Sequence, residues 1–501
     1  MKRMTLALIG TWTLLSFALA QSAPDQAHQD VAGNWEGKLV VGQSSLRIWL
    51  EVAQNQSGEL SATLYSLDQG ATPIPCTNVS LSGDTFRFEV PAVSGTFVGQ
   101  LGASGNTIDG TWKQGQSLPL TLERQPPGAK RPGSSGTAAS PAKPPVPLDE
   151  LGAALDDEFR PVIGTPTLKT SAGVGIVIGV LQNGQRRIYA YGAAKPDSIY
   201  EIGSVTKSFT GLLLAQMATQ HDVTLDEPVR ELLPPGTVAK PDGPEITLLD
   251  LATQHSGLPR LPANLRPNAN PTNPYAAYGP EDLYAYLGEH GVALPQNPTF
   301  LYSNLGYGLL GHALALHANE SYAKLIEKEI TAPLNMTSTA VSLPASEQPR
   351  LVHGHDAANA PVPSWTFDAL AGAGALRSSA SDLLTFLDAQ LHPDDLPAAP
   401  RNTPAATLSD AITMTHTLRA DGPQGMKVGM GWLYQEANGT YWHDGGTGGY
   451  TSFVAFQPAH DRAIVVLYNR EDLGSSASPF TQRVAGNVIA LLSGTPAGSL
   501  Q

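Results

Sequence analysis

The stretch YEIGSVTKSFTG (200–211) holds a serine and a lysine whose spacing could support nucleophilic chemistry. Apolar residues recur through and beyond it at helical intervals and predict one buried helix that begins near Gly203. Positions i and i+3 share a helix face, so the hydroxyl of Ser204 and the amine of Lys207 point to the same place. A serine attacks an acyl carbon only with an adjacent base, and a lysine is such a base only when its surroundings lower its pKa. The spacing alone also fits the start of an ordinary surface helix.

Two later stretches carry polar groups suited to the same chemistry. The letters YSN, which begin at Tyr302, stand just before another helical run in FLYSNLGYGLLG. The letters HDGG, which begin at His443, open a glycine-rich turn in YWHDGGTGGYTSFVAF. A phenol can transfer a proton and an amide can both donate and accept hydrogen bonds.

These three stretches, in this order, resemble the serine hydrolases of the penicillin-recognising superfamily, which includes class C β-lactamases, DD-peptidases and family VIII esterases. The resemblance to this superfamily extends over about residues 155–495. Further similar segments include DVTLDEPVRELLP, LLDLATQHSGLP and AGAGALRSSASDLLTFL. The S-x-x-K pattern is shared with related penicillin-binding enzymes. The resemblance implies an α+β fold of the β-lactamase/transpeptidase type, in which helices and a helical subdomain flank an antiparallel sheet.

The resemblance also implies a role for each matching residue. Ser204 would form an acyl-enzyme, and Lys207 and Tyr302 would move the protons. The amide of Asn304 would hydrogen-bond both Lys207 and the acyl side chain of a substrate. No cofactor and no metal are implied.

The HDGG stretch would supply the substrate-binding edge strand, with His443 and Gly445 beside the substrate. Similarity to the family nominates the backbone N–H groups of Ser204 and Gly446 as the oxyanion hole. Many class C β-lactamases have Lys-Thr-Gly where this chain has His443-Asp444-Gly445. Histidine near neutral pH mostly lacks the permanent positive charge of lysine. This departure argues against efficient hydrolysis of β-lactam antibiotics and leaves amides or esters of D-amino-acid or other acyl compounds.

The predicted function is therefore that of an exported serine hydrolase acting through an acyl-enzyme on β-lactam, D-amino-acid peptide or ester substrates. The alternative is a sensor that does not catalyse, or acylates slowly, and binds penicillin or cell-wall peptides. The presence of Ser204, Lys207 and Tyr302 together favours the enzyme. The predicted partner is a small-molecule or cell-wall peptide substrate, and the oligomeric state stays open.

Composition divides the chain into four parts. Residues 1–20 have a basic start, an apolar stretch and a small-residue end, as in a signal peptide cleaved near Ala20 for periplasmic location or secretion. Residues 31–125 alternate short β-like runs with turns, and residues 126–148 form a linker rich in Pro, Gly and Ala. Residues 149–496 form the hydrolase domain, whose first and last β segments are expected to pair.

The small domain is expected to be an all-β barrel. GNWEG and GTWKQG place a Gly-x-Trp near each end of it, which weakly resembles the way lipocalin-like barrels close. A filled barrel that acts as a spacer or docking module and a barrel with a ligand cavity are both compatible with this pattern.

Overall composition excludes several classes of function. The formal net charge of −14 and the lack of basic runs argue against nucleic acid or anionic membrane surfaces as partners. No segment after the signal peptide is long and apolar enough to span a bilayer. The single cysteine, Cys76, rules out an intramolecular disulfide, so packed cores must stabilise the fold.

Overall fold

The computed structural model describes residues 30–500, apart from residues 42–43, 56–57, 68–73, 91–92, 94, 115, 127, 130, 132–143, 266–269, 402, 473–478, 496–497 and 499. The predicted signal peptide and the centre of the predicted linker lie outside the described residues. The chain divides into two compact units, with the division after Arg131.

The first unit is the all-β domain expected from the sequence. In its described part, one antiparallel sheet has the order β4-β3-β2-β1-β9-β8-β7-β6-β5 and curls into a near-closed barrel. Its strands, β1 to β9, are Gly33–Val41, Ser44–Gln54, Leu60–Ser66, Ile74–Pro75, Thr77–Ser82, Thr85–Val90, Gly95–Leu101, Thr107–Gln114 and Gln116–Arg124.

Large aromatic side chains fill the interior of this barrel. Trp35, Phe86, Phe88, Phe97 and Trp112 are each at most 2% exposed, and they alternate with outward-facing residues along their strands. The two Gly-x-Trp segments thus contribute core side chains. The packing favours the filled barrel over one that encloses a ligand.

The second unit is built on an antiparallel sheet that has eight strands in the described residues, in the order β11-β10-β21-β20-β19-β18-β17-β16. The first of its strands, β10, pairs with the last, β21, through Ile176 and Tyr468, which confirms the expected pairing of the two ends of the domain. The strands β10 to β21 are Gly175–Gln182, Gln185–Gly192, Ile199–Glu201, Gly354–His355, Pro361–Val362, Arg377–Ser379, Ala420–Asp421, Lys427–Val428, Leu433–Gln435, Thr440–Gly446, Thr451–Gln457 and Arg462–Tyr468.

Helices cover both faces of this sheet. In chain order, α1 to α9 are Leu151–Phe159, Thr206–Thr219, Leu248–Ala252, Pro280–His290, Asn304–His317, Tyr322–Ile326, Ala380–Leu391, Leu408–His416 and Phe480–Ser493. Helix α7 packs against β10 and β21, α9 packs against β20 and β21 together with α1, and α2 lies among α3, α5 and α8. The arrangement confirms the β-lactamase/transpeptidase-like architecture expected from the sequence. No helix in the described residues combines the length and the apolar character needed to cross a bilayer.

Candidate active site

The nucleophile candidate Ser204 lies in a tight turn between strand β12 and helix α2. A 3₁₀ turn, Gly203–Val205, leads directly into α2. Gly203 has φ +49°, a conformation that favours glycine, and it lets the chain turn sharply after the strand. Helix α2 is buried on almost every side, so packing against its neighbours fixes the position of its first turn.

Lys207 lies on the first turn of α2 and is completely buried. Its Nζ lies 2.9 Å from Ser204 Oγ, 2.9 Å from Asn304 Oδ1 and 2.7 Å from the carbonyl oxygen of Ala373. Burial lowers the pKa of Lys207 well below its usual value, and the charge of Arg260 lowers it further.

The identity of these three neighbours determines what a neutral Lys207 can do. The amide oxygen of Asn304 and the carbonyl oxygen of Ala373 only accept hydrogen bonds, so they take the two N–H groups of a neutral amine. The remaining lone pair then faces Ser204 Oγ and can accept the hydroxyl proton. The geometry thus gives Lys207 the arrangement of a general base for Ser204.

Tyr302 stands at the end of the loop that precedes α5. Lys207 Nζ lies 4.9 Å and Arg260 Cζ lies 5.1 Å from the centre of its ring, and its phenol hydrogen-bonds the Ser204 side chain. Burial, together with the charge of Asp444, raises the pKa of Tyr302 above its usual value despite the opposing effects of Ser204 and Arg260. Tyr302 therefore carries its proton at neutral pH, which suits a proton donor to a leaving group.

Hydrogen bonds from the preceding residue hold this loop in place. Ser303 caps α5 by accepting from Gly306 N at 2.8 Å, and its hydroxyl donates to Pro259 O at 2.7 Å. Asn304 is the first residue of α5, and its Nδ2 donates to Tyr275 Oη at 3.1 Å while its Oδ1 accepts from Lys207. The amide of Asn304 is therefore oriented by partners on two sides.

Strand β19 brings the predicted oxyanion donors together. A Cβ on Gly445 would lie 2.1 Å from Ile202 O and 2.9 Å from Ser204 N, and a Cβ on Gly203 would lie 2.6 Å from Gly446 N. These glycines let the end of β19 approach the nucleophile turn closely. In the described residues β18 pairs with β19 only as far as Trp442, so the end of β19 that carries Gly446 has a strand partner on one side alone.

His443 lies behind Tyr302 and outside the lining of the cleft. It is 4% exposed, its ring centre is 6.3 Å from that of Tyr302, and its Nδ1 lies 2.6 Å from the carbonyl oxygen of Asp444. That carbonyl only accepts, so Nδ1 carries the proton. Burial lowers the pKa of His443 to about 3. His443 is thus neutral, as expected from the sequence, and its place beside a substrate stays a prediction.

The cleft in front of Ser204 has a volume of about 570 Å³ and includes residues that the sequence did not point to. Its walls contain the aromatic side chains of Tyr275, Trp365 and Phe367, together with Arg260 and Asp444. Asp444 lies inside the quoted HDGG stretch without being assigned a role, and Arg260 directly follows the quoted stretch LLDLATQHSGLP. Trp365 and Phe367 belong to none of the recognised motifs. The fold of the 363–374 loop places them near Ser204, and the sequence alone does not indicate this position.

Comparisons with known proteins agree with this geometry. A family model described as Beta-lactamase matches residues 165–485. A Beta-lactamase of Pseudomonas fluorescens is 27% identical over 348 residues, which cover 61% of this chain and 91% of that protein. The D-alanyl-D-alanine-carboxypeptidase/endopeptidase AmpH of Escherichia coli (strain K12) is 28% identical over 319 residues, which cover 60% and 81%.

Solved structures show the same similarity. The crystal structure of a class C beta lactamase from Rhodobacter sphaeroides aligns with a TM-score of 0.55 at 26% identity. The alignment covers 68% of this chain and 98% of that structure.

Proposed function

The chain belongs to the beta-lactamase family and is a serine hydrolase of that family, and we propose that it cleaves amide or ester bonds through an acyl-enzyme at Ser204. The observation that carries the proposal is the contact of Ser204 Oγ with a fully buried Lys207 Nζ at 2.9 Å. Among the atoms that hydrogen-bond Lys207 Nζ in the described residues, Ser204 Oγ is the one that carries a proton for the amine to accept.

In the proposed reaction the lone pair of Lys207 takes the proton of Ser204 as Oγ attacks the acyl carbon. The backbone N–H groups of Ser204 and Gly446 stabilise the oxyanion of the tetrahedral intermediate. Tyr302 donates its proton to the leaving group and regains one from the Lys207 ammonium. Water then takes the place of the leaving group, the same transfers run in reverse, and Ser204 recovers its proton as the acid is released.

We test this function with p-nitrophenyl phenylacetate and the matched variants Ser204→Ala and Ser346→Ala, the second of which changes an exposed serine. We expect the wild type and Ser346→Ala to release p-nitrophenolate and to show an acyl adduct by intact-mass spectrometry. Ser204→Ala should lose both. Hydrolysis by Ser204→Ala at the wild-type rate would refute the proposal, and a lasting adduct without turnover would favour the slow-acylating sensor.

We further propose that the protein is exported, on the basis of the signal-like residues 1–20. Cell fractionation with mass analysis of the mature N-terminus tests this proposal. A mature chain that begins at Gln21 in the periplasm or medium is expected, and an intact N-terminus in the cytoplasm would contradict it.

A further inference from the structure

The charges that line the cleft are unevenly distributed. Among the lining residues that the structure describes, Arg260 is the cation and Asp444 and Glu471 are the anions. Lys207 is fully buried beneath the cleft, and His443 is neutral. Arg260 Cζ lies 5.1 Å from the centre of the Tyr302 ring, and the charges of Arg260 and Asp444 both act on the Tyr302 phenol. A negatively charged substrate group beside Tyr302 therefore meets one cation and one anion, and Asp444 opposes the attraction that Arg260 would exert.

Asp444 lies on the side where a leaving group must pass. The substrate carbonyl oxygen belongs at the N–H groups of Ser204 and Gly446, and Asp444 precedes Gly446 by two residues on the same face of β19, about 7 Å along the strand. In the proposed reaction Tyr302 protonates the leaving atom, and the charge of Asp444 contributes to the raised pKa of Tyr302. A leaving group therefore passes between Tyr302 and Asp444.

The carboxylate of Asp444 lines the cleft in front of Ser204. Burial raises its pKa, and a backbone hydrogen bond, the hydrogen bond from Gln482 and the charge of Arg260 oppose that rise. Its side chain is 32% exposed, and its Oδ2 accepts a hydrogen bond from Gln482 Nε2 at 3.3 Å. In the part of the chain that the structure describes, Asp444 forms no ion pair with a lysine or an arginine.

Another part of the cleft wall is apolar and aromatic. The ring of Tyr275 stacks on that of Phe367 with 4.6 Å between their centres, and Trp365 lies 5.4 Å from Tyr275. The Tyr275 hydroxyl accepts from Asn304, so this wall continues directly into the amide next to Lys207. An apolar acyl group such as phenylacetyl fits beside it.

We propose that Asp444 makes this hydrolase discriminate against a carboxylate on the leaving group, so that its substrates are esters or amides of apolar acyl groups with neutral or cationic leaving groups. Like charges brought together in a partly buried cleft repel each other strongly, and a carboxylate side chain offers no donor in place of a cation. The inference rests on the proposed function, because it requires hydrolysis at Ser204.

The test uses two esters that differ in one carboxylate. They are the phenylacetate esters of 4-nitrophenol and of 5-hydroxy-2-nitrobenzoate, and both release a coloured nitrophenolate. We expect the wild-type ratio of kcat/KM, neutral over anionic ester, to exceed the ratio of their hydroxide-catalysed rates by at least tenfold. A wild-type ratio at or below the hydroxide ratio would overturn the proposal.

The variants then assign the effect to one carboxylate. Asp444→Asn removes the charge at nearly constant shape and should lower the discrimination ratio at least tenfold, while Glu471→Gln, the matched control in the same cleft, should lower it less than threefold. An unchanged ratio in Asp444→Asn, or an equal fall in both variants, would refute the role of Asp444. A misfolded fraction lowers kcat/KM for both esters by the same factor, so it does not alter the ratio that the folded fraction gives. Asp444→Ser provides a second test of the same charge removal.

Failure of this inference is distinguishable from failure of the proposed function. If Ser204→Ala abolishes hydrolysis of both esters but the discrimination ratio is the same in the wild type and in Asp444→Asn, only the charge discrimination is wrong. If the wild type hydrolyses neither ester, or Ser204→Ala retains hydrolysis, the acyl-enzyme proposal itself fails.

Discussion

Replacement of Lys207 by methionine tests the central element of the proposed mechanism, a buried amine that is neutral when the protein is folded. Methionine keeps the length and apolar stem of the side chain but has no lone pair to accept the proton of Ser204. A positioned general base contributes about 10² to 10⁴ in rate, which corresponds to about 3 to 5 kcal/mol of transition-state stabilisation. We expect kcat/KM for p-nitrophenyl phenylacetate to fall by that factor.

The same substitution has a second, independent consequence for stability. The pKa of Lys207 is lowered in the folded protein, whereas an unfolded lysine titrates near 10.4. Between the folded pKa and about 10.4, the unfolded state binds one more proton than the folded state, so stability rises with pH. The slope is about 1.4 kcal/mol per pH unit, or about 2 kcal/mol between pH 8.0 and 9.5. Below the folded pKa both states are protonated and the slope vanishes.

Urea unfolding at several pH values, followed by tryptophan fluorescence, measures this effect. In the wild type, the transition that coincides with the loss of ester hydrolysis identifies the unfolding of the hydrolase domain, and the same fluorescence transition is then followed in the variants. The free energy of unfolding of the wild type minus that of Lys207→Met should be about 2 kcal/mol larger at pH 9.5 than at pH 8.0. Lys324→Met, at an exposed lysine of α6, should show no such pH-dependent difference. A constant difference between the wild type and Lys207→Met would mean that Lys207 stays charged when folded, and the base would have to be another group.

Three further outcomes follow from the site and its surroundings. Tyr302→Phe should lower kcat by about 10²-fold or more, since it removes the donor to the leaving group, and steady-state kinetics with an alkyl ester would contradict this if the loss were under threefold. His443→Gln should leave the apparent pKa values of the pH–rate profile in place, because burial holds the pKa of His443 at about 3, and a shifted acidic limb between pH 5 and 8 would contradict its neutrality. His392 Nδ1 and Nε2 each lie 2.8 Å from a carboxylate, of Asp388 and Asp461 respectively; partial burial lowers its pKa, but these partners raise it overall. The stabilisation from charged His392 is complete below about pH 6.5 and is lost as pH rises through the folded pKa. Urea unfolding should therefore show that His392→Gln is destabilised by up to about 1 kcal/mol more at pH 5.5 than at pH 8.5. Equal destabilisation at both pH values would refute the ion pair.

Local patterns in the sequence predicted most of the fold. The hairpin of β10 and β11 follows from two β-like runs around Asn183-Gly184, and the terminal strands and helix follow from apolar periodicity. The short strands β16 to β18 were not predicted, because two or three residues carry no periodicity. The same holds for β4 in the barrel, which is the dipeptide Ile74–Pro75.

The site was predictable only where a motif carried it. The S-x-x-K spacing explains why Ser204 and Lys207 share a face, but it says nothing of the acceptors that orient the amine. Asn304 is 97 residues from Lys207 and Ala373 is 166 residues from it, so their contacts depend on the tertiary fold. The position of His443 behind Tyr302 likewise depends on which face of β19 packs inward, and the glycine-rich letters alone do not fix that face.

The features that weaken the fold at this site are the ones that explain its chemistry. A lysine that has no ion pair in the part of the chain that the structure describes and a partly buried Asp444 each cost stability, whereas the left-handed Gly203 makes the turn from β12 into α2. Each has a direct consequence for a reaction at Ser204, because burial frees the lone pair of the amine and the glycine turn lets the oxyanion donors meet. The carboxylate of Asp444 sets the charge that a leaving group must tolerate. The packed sheet and helices supply the stability that offsets these costs, and this is why the motifs of the site are recognisable as departures from what folding alone would select.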